Sequence, residues 1–406
     1  MFPCRPRLDC LKSVHLLPPM TANPYVVIDT DSHILEPLSL WDDYMEEKEL
    51  LPMAPRFFED DNGEQQFSIE GFKPTRLKGT GLGGRNVDKK FQDTVATQRW
   101  EEQQPGGFRP EPRLEDMDRE GVDLAMLYPT VGLRYTGIKS DKVAAAVCRA
   151  YNNWLYDYCK AAPSRLIGIG AIPFQCPELA VVEMRYVVEK LGFKGVFTRP
   201  NPLRGRNLDH PDYDPIWQAA QELDCPIGIH EGGFMPGIAA VGFDRYDNMA
   251  YRHMASHPME QQLACMTLIL GGVLERFPSL KIIFLESGGG WVPYWLVRMD
   301  EHRKHMGWVI PDCKLLPSDY FRRQCLIQIP SDECTTPMLV ELLGDDHIVW
   351  GTDYPHFDCN WTGAANRLAD APLSADSINK ILGLNAIRFF NLEVPKSVMQ
   401  PLHAIA

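Results

Sequence analysis

The sequence predicts an α/β protein built on a (β/α)8 barrel, the TIM barrel, and three observations support that prediction. Short apolar runs rich in β-branched residues alternate with longer segments whose apolar positions recur every three or four residues. Eight such runs occur along the chain, and eight parallel strands is the number that closes a barrel. The first run lacks the glycine-rich turn that is typical of the structural alternative, an open doubly wound sheet.

Each predicted strand is a run of aliphatic, aromatic or β-branched residues that ends at proline, glycine or a charged side chain. Runs that are apolar throughout are typical of parallel strands covered on both faces. In chain order, the predicted strands cover residues 25–28, 122–128, 166–172, 193–198, 226–230, 281–286, 324–328 and 347–353.

The segments between the strands have apolar positions at helical spacing, and Gly192, Pro278 and Gly344 stop three of them. Asp214 suits the N-cap of another. The predicted helices cover residues 40–49, 113–120, 141–162, 178–191, 215–223, 257–276, 292–305, 336–343 and 377–390.

Changes in composition predict the domain organisation. Residues 1–22 carry scattered basic residues and prolines and are expected to form a disordered N-terminal extension. Residues 23–395 are expected to form a single barrel domain, and residues 396–406 a C-terminal tail. Residues 38–112 show no regular apolar pattern over most of their length and are predicted to be an insertion after the first strand that acts as a lid.

Composition excludes some classes of partner. The formal net charge of −13 argues against nucleic acid, because phosphate binding requires clustered lysine and arginine. No apolar run approaches the roughly 20 residues that span a membrane. The eleven cysteines show no CxxC pairs, so we expect reduced thiols in a cytoplasmic protein. Barrels of this size often pair, so a homodimer is one alternative for an oligomeric state that the sequence leaves open. A small molecule is the expected substrate.

Acids and imidazoles collect at the ends of the predicted strands. Asp31 and His33 follow the first strand, His230 ends the fifth, Glu286 ends the sixth and Asp353 ends the eighth. The carboxyl ends of barrel strands meet at one mouth, where barrel enzymes carry their working residues. A divalent metal binds carboxylate oxygen and imidazole nitrogen together, so the pattern predicts a metal site.

Four segments resemble the amidohydrolase superfamily, in the branch that contains aminocarboxymuconate-semialdehyde decarboxylase. The resemblance extends from about Val26 to Phe390 and implies the barrel fold, metal use and an enzyme. The segments are Asp31-Ser-His33-Ile-Leu-Glu36-Pro, Gly271-Gly-Val-Leu-Glu-Arg-Phe-Pro278, Glu286-Ser-Gly-Gly-Gly-Trp291 and Trp350-Gly-Thr-Asp353-Tyr-Pro355.

The resemblance also implies roles for individual residues. Asp31 and His33 take the place of the His-x-His metal pair of the family's first strand, and His230 is similar to its strand-five ligand. Asp353 resembles the strand-eight aspartate that contacts the metal and acts as the base. A divalent ion lowers the pKa of water, and a nearby carboxylate can then accept a proton.

Two departures from the family pattern enrich the mouth in carboxylates. Branch members that decarboxylate usually carry a histidine before the glycine triplet of strand six, where this chain has Glu286 and Ser287. The first-strand pair is Asp and His rather than two His. We therefore predict Asp353, Glu286 and His257 as catalytic residues, although His257 beside Pro258 is equally well explained as a residue at the start of a helix.

The number of candidate ligands leaves the metal count open. Catalytic zinc keeps about three protein ligands and a water, fewer than this chain offers. Either some of these residues support the ligands, or two ions bind, and zinc, manganese and iron all suit the donors. The predicted metal ligands are Asp31, His33, Glu36, His230, Glu286 and Asp353.

Three residues are predicted to contact the substrate. Arg199 ends the fourth strand, where it suits a substrate carboxylate, and an ion pair with a local acid explains it equally well. Trp291 follows the glycine triplet, and at helical spacing such a residue is more often part of the core. His356 lies near Asp353, where a residue that supports Asp353 and a residue of a surface loop are equally good alternatives.

Three functions follow from these observations. The first is an enzyme that uses metal-activated water on a small carboxylate or carbonyl compound, as a hydrolase or a non-oxidative decarboxylase (carboxy-lyase). The second is a monooxygenase (hydroxylase) with paired iron or manganese, which the surplus of carboxylates favours. The third is a barrel that binds without catalysis, which the intact set of ligands disfavours.

Overall fold

The computed structural model describes residues 25–70, 73–77, 80, 81, 83, 98–232 and 240–394. The predicted N-terminal extension and C-terminal tail therefore lie outside the described residues. The strands within the described part are β1 Ile28–His33, β2 Arg56–Glu59, β3 Gln65–Ser68, β4 Leu124–Tyr128, β5 Leu166–Gly168, β6 Gly170–Ala171, β7 Val196–Thr198, β8 Ile227–Ile229, β9 Ile282–Phe284, β10 Cys325–Ile329 and β11 Ile348–Trp350.

Helices separate the parallel strands. The described α-helices are α1 Leu40–Tyr44, α2 Pro105–Phe108, α3 Pro110–Glu120, α4 Asp141–Cys159, α5 Pro177–Glu189, α6 Asp214–Glu222, α7 Met249–Leu270, α8 Val273–Arg276, α9 Val292–Met306, α10 Pro317–Gln324, α11 Thr336–Leu343, α12 Ala364–Ala369, α13 Ala375–Asn379 and α14 Asn385–Phe390. Short 3-10 helices cover Lys48–Met53, Trp100–Glu102, Val131–Gly137, Pro211–Tyr213, Gly307–Val309 and Asp345–His347, and a π-helical turn covers Lys380–Leu384. Within the described part of the chain, no helix is both long enough and apolar enough to cross a lipid bilayer.

The parallel strands follow one another in the order of a barrel. Strands β1, β4 and β5 form one sheet, and β6 to β11 form a second in sequential order. Ile169 alone separates β5 from β6, so these two segments act as one barrel strand. The backbone N–H of Asp353 donates to the Asp31 carbonyl at 2.7 Å, and Ser32 pairs with Tyr354. The end of the last strand therefore lies against the first.

Strand β1 runs further than its apolar residues predict. The prediction placed the strand at residues 25–28, whereas the structure begins it at Ile28 and ends it at His33, with every residue buried. Asp29 is tolerated there because Thr352 donates to its carboxylate twice, from N–H at 2.9 Å and from the hydroxyl at 2.5 Å. Burial raises the pKa of Asp29 to about 7, although these hydrogen bonds oppose the shift.

Replacing Thr352 with valine should destabilise this junction between the first and last strands. The change keeps the shape but removes the hydroxyl, leaving one buried oxygen of Asp29 without its donor. We expect a loss of about 1–3 kcal/mol in the free energy of unfolding, measured by urea denaturation. The matched control is Thr362→Val on an exposed residue, and equal losses in both variants would contradict this role.

The described part of the insertion packs on the end of β1. It contains α1, the antiparallel β2–β3 hairpin and α2. The indole N–H of Trp100 donates to the Glu36 carbonyl at 2.8 Å, and the Leu35 N–H donates to the Gly107 carbonyl at 2.9 Å. A Cβ on Gly107 would approach the Leu35 side chain to 2.6 Å, so the close contact requires glycine. The proposed lid function of this insertion stays a prediction.

Helix α7 begins eight residues before the predicted start at His257, at Met249. Asn248 caps it, because its side-chain oxygen accepts the N–H of Ala250 at 2.9 Å. Pro258 lies inside the helix and does not start it. His257 is therefore in the third turn of α7, and His253 lies on the same face one turn earlier.

Candidate metal centre and active site

Four side chains converge at the carboxyl ends of β1, β8 and β11, and we call them the first donor set. They are Asp31 and His33 in β1, His230 directly after β8 and Asp353 after β11. The Nε2 atom of His33 lies 3.4 Å from Asp31 Oδ1 and 3.1 Å from Asp353 Oδ1. The Nε2 atom of His230 lies 3.1 Å from the same Asp31 oxygen. Both histidines therefore present Nε2 to the carboxylates.

Backbone carbonyls fix the orientation of both imidazoles. The Nδ1 atom of His33 lies 2.8 Å from the carbonyl oxygen of Pro129, and Nδ1 of His230 lies 2.6 Å from that of Glu231. A carbonyl only accepts, so each Nδ1 must carry the proton and each Nε2 is left with a lone pair when the ring is neutral. Metal-binding histidines show this arrangement.

Two buried atoms of the first donor set have no hydrogen-bond partner within the described chain. They are Nε2 of His33 and Oδ2 of Asp31, and both side chains are fully buried. Buried polar atoms without a hydrogen bond are costly even beside charged neighbours, and a divalent ion would satisfy both. The first donor set therefore fits a metal ion, because it offers suitable oxygen and nitrogen ligands and two of its buried atoms lack a hydrogen bond.

The charged groups of the first donor set shift one another's pKa values. Burial alone would raise the pKa of Asp31, but His230 and His33 hold it below the usual value. Burial would also raise the pKa of Asp353, but His356 and His33 lower it below the usual value. Burial lowers the pKa of His33, and the attraction of the two carboxylates outweighs it and raises that pKa well above the usual value. The site thus favours bound positive charge.

His356 contacts Asp353, as its alternative interpretation expected, and its predicted contact with substrate stays a prediction. Its Nδ1 lies 2.7 Å from Asp353 Oδ1, and its ring is buried and stacks on His33 with 4.1 Å between centroids. Its Nε2 lies 3.0 Å from the Thr130 hydroxyl, which donates its own hydrogen to the Ile34 carbonyl at 2.6 Å. The Thr130 oxygen must therefore accept a hydrogen bond from His356 Nε2, so Nε2 carries a proton. Because Nδ1 and the Asp353 oxygen lie 2.7 Å apart, these two atoms share a second proton.

A second group of donors lies beside the first, and we call His253, His257 and Glu286 the second donor set. One Glu286 oxygen lies 3.4 Å from His257 Nε2 and 3.9 Å from His253 Nε2. Burial opposes charge on His257, but the Glu286 carboxylate raises its pKa to about 9. The pKa of Glu286 is held well below the usual value, because the charges of the nearby histidines outweigh the effect of burial.

A cavity of about 790 Å³ opens over both sets. Its lining includes Asp31, Asp353, His257, Glu286 and Asp358. Burial, together with the charges of Asp353 and Glu286, raises the pKa of the Asp358 carboxyl to about 8. A cavity of this size holds a small molecule, and its floor carries the groups that bind metal.

Glu36 does not join either donor set, contrary to its prediction as a metal ligand. Its two oxygens accept the backbone N–H groups of Val131 at 3.1 Å and Gly132 at 2.8 Å. The carboxylate thus caps the 3-10 helix after β4 and ties it to the end of β1. Burial raises its pKa to about 7 despite these bonds.

Arg199 and Trp291 are also placed differently from their prediction as substrate contacts. The fully buried guanidinium of Arg199 pairs with Glu231, so the alternative of a local ion pair is the correct one. Trp291 packs edge-on against Phe284, with 6.1 Å between ring centroids. Neither residue belongs to the described lining of the cavity.

Sequence reasoning missed His253 and Asp358. A signal for His253 was present, since His253 and His257 are four apart and would share one face of a helix. The predicted helix began too late to include it. Asp358 lies in the loop after β11, 3.4 Å from His253 Nε2, and no local pattern distinguished it from a solvated acid.

Comparisons with known proteins identify the family of this chain. The profile of the amidohydrolase family matches residues 28–392. The 2-amino-3-carboxymuconate-6-semialdehyde decarboxylase of Dictyostelium discoideum is 27% identical over 315 residues, covering 76% of this chain and 82% of that protein. The gamma-resorcylate decarboxylase of Polaromonas sp. strain JS666 is 28% identical over 296 residues, covering 69% and 86%.

Solved structures share the fold. A crystal structure of an amidohydrolase from Mycobacterium avium subsp. paratuberculosis K-10 has a TM-score of 0.72 and 23% identity, covering 91% of this chain and all of that one. The 2,6-dihydroxybenzoate decarboxylase from Rhizobium has a TM-score of 0.65 and 20% identity, covering 91% and 99%. The predicted (β/α)8 barrel is confirmed, and the chain belongs to the amidohydrolase family.

Proposed function

We propose that this chain is a metal-dependent carboxy-lyase that removes CO2 without oxidation from a small carboxylate. The observation that supports it best is the convergence of Asp31, His33, His230 and Asp353 around unsatisfied buried donor atoms. Curated relatives that cover most of the chain are named as decarboxylases, which supports this reaction over hydrolysis.

The first donor set would hold the ion. Two carboxylates and two imidazoles suit zinc, manganese or iron, and one solved dihydroxybenzoic acid decarboxylase of the same fold contains bound manganese. When bound, a divalent ion supplies positive charge that orients and polarises the oxygens of the substrate. The carbonyls of Pro129 and Glu231 keep His33 and His230 turned toward it.

The reaction requires one proton, because decarboxylation exchanges CO2 for hydrogen at the same carbon. Asp353 lines the cavity and shares a proton with His356 Nδ1 across 2.7 Å. Asp353 would pass that proton to the substrate carbon that loses CO2, as the bond between this carbon and the carboxylate breaks. His356 would then return a proton to Asp353. The Thr130 hydroxyl holds the other side of the His356 ring in place.

The substrate class follows from the relatives and the cavity. The relatives are named for carboxylates of small planar compounds, and the cavity has room for such a molecule. His257 and Glu286, predicted as catalytic residues, line the same cavity and stay predictions in that role. The expected cytoplasmic location stays a prediction.

The other two functions are less well supported. A monooxygenase would need paired redox metals and uptake of oxygen, and the relatives named here are decarboxylases. A binding barrel without a metal ion would leave the buried Oδ2 of Asp31 and Nε2 of His33 without a hydrogen bond.

Incubation of the manganese-loaded protein with 2,6-dihydroxybenzoate, 5-carboxyvanillate and related hydroxybenzoates tests the reaction. We expect release of one CO2 for each substrate consumed, in the absence of oxygen, with loss of activity after chelation. Headspace gas analysis and chromatography of the product measure both quantities. Turnover that requires oxygen, or that yields no CO2, would contradict the carboxy-lyase assignment.

A further inference from the structure

We propose that the second donor set, His253, His257 and Glu286, holds a second divalent cation beside the ion of the first donor set. The proposal concerns metal binding and goes beyond the proposed reaction, so it stands or fails independently of decarboxylation. The chain would then hold two ions, one at the first donor set and one between α7 and the end of β9.

The two histidines have the spacing that metal-binding helices use. His253 and His257 are four residues apart in α7, so their side chains leave the same face of the helix. Two histidines at this spacing bind zinc in helical metal sites. The rings stack with centroids 3.9 Å apart and planes 25° apart. Both Nε2 atoms lie near the same Glu286 oxygen, and the donor atoms of the three residues lie within 4.8 Å of one another.

The orientation of His257 turns its Nε2 toward the Glu286 carboxylate, where a cation would lie between them. The Nδ1 atom of His257 lies 3.0 Å from the carbonyl of His253, one helical turn earlier. That carbonyl accepts a hydrogen, so Nδ1 carries the proton of the neutral ring and Nε2 carries the lone pair. The first donor set holds His33 and His230 in this same way, by a carbonyl at Nδ1.

Carboxylates complete the second donor set. Glu286 comes from the end of β9 and directs Oε1 at both histidines, at 3.4 and 3.9 Å. Asp358 adds a further oxygen 3.4 Å from His253 Nε2. Two imidazoles with one or two carboxylates match the preferences of zinc, manganese and iron.

The two donor sets are adjacent. The second oxygen of Glu286 lies 3.5 Å from His230 Nδ1, so one carboxylate lies between both sets. Oxygens of Glu286, Asp353 and Asp358 also lie within 4.8 Å of one another. This concentration of negative charge beside one cation site is what a second cation would neutralise. The cavity opens on both sets, so a substrate with two neighbouring oxygen donors could contact both ions.

Counting bound manganese tests the proposal. Apoprotein is dialysed against saturating Mn²⁺, washed of free ion and analysed for metal and protein, with electron paramagnetic resonance as a second readout. We expect two ions per wild-type chain with a spin-coupled spectrum. The His253→Ala/His257→Ala double variant and the Asp31→Ala/His33→Ala double variant should each hold one ion with the spectrum of isolated Mn²⁺.

His302→Ala is the matched control. His302 is exposed on α9 and, like His257, has Nδ1 next to a carbonyl of its own helix, here Arg298 at 2.8 Å. This variant should keep two ions. If circular dichroism shows that the His253/His257 variant is unfolded, Glu286→Gln replaces it, and the same loss of one ion is expected.

Two results would overturn the proposal. One is a wild-type ratio of one ion per chain, whichever variant loses that ion. The other is an unchanged ratio of two in the His253/His257 variant, or in its Glu286→Gln replacement. Neither outcome depends on turnover, so a protein that binds two ions but releases no CO2 would refute the proposed function alone.

Discussion

Replacing Asp353 with asparagine should reduce kcat by about 10²–10⁴-fold while bound metal at the first donor set remains near the wild-type level. The amide has the shape of the carboxylate but can neither take the proton from His356 nor deliver it to carbon. Asp31, His33 and His230 still offer three donors to the ion. Release of CO2 and metal content, measured on the same preparation, separate chemistry from metal binding.

The matched control is Asp370→Asn. Asp370 is exposed at the end of α12, so its substitution should change neither quantity. Wild-type turnover in the Asp353 variant would remove this residue from the proposed proton path. Loss of the metal together with activity would instead make Asp353 mainly a ligand, and His356→Ala would then be expected to leave turnover intact.

Replacing His33 with alanine should remove one equivalent of bound metal. The Nε2 atom of His33 is buried, has no hydrogen-bond partner in the described structure and faces both carboxylates of the first donor set. Residues that only support metal ligands contribute about 10–100-fold to affinity, so loss of a ligand itself should cost at least about that much. Dialysis against limiting Mn²⁺ followed by elemental analysis measures the change.

Thermal unfolding gives an independent readout of the same variant. A ligand that binds only the folded state stabilises it, so Mn²⁺ should raise the Tm of the wild type by more than that of His33→Ala. His302→Ala serves again as the surface histidine and should respond like the wild type. An equal rise in Tm and an equal metal content for His33→Ala would show that the ion binds elsewhere.

The partners of several charged residues depended on contacts between distant parts of the chain. Glu36 looked like a ligand because it follows Asp31 and His33 closely, yet it accepts N–H groups 95 and 96 residues away. Arg199 looked suited to a substrate carboxylate, yet Glu231 neutralises it in the interior. A buried charge takes whichever partner the fold brings closest, and sequence spacing does not report that distance.

The position at which α7 starts also could not be predicted from the sequence. The prediction started α7 at His257, because Pro258 directly after it is typical of the first turn of a helix. The structure starts it at Met249, where Asn248 supplies the cap. His253 thereby joins His257 on one face, and the second donor set exists only because of that extension.

The sequence by itself determined the barrel and the first donor set. Strand and helix periodicity are local properties, and the ends of parallel strands meet at one mouth whatever the detailed packing. Asp31, His33, His230 and Asp353 could therefore be expected to lie close together. The tertiary structure alone decided that Glu36 and Arg199 face other partners, that His356 supports Asp353, and that His253 and Asp358 face the cavity. Those outcomes depend on distances between side chains far apart in the chain, and only the packed molecule sets such distances.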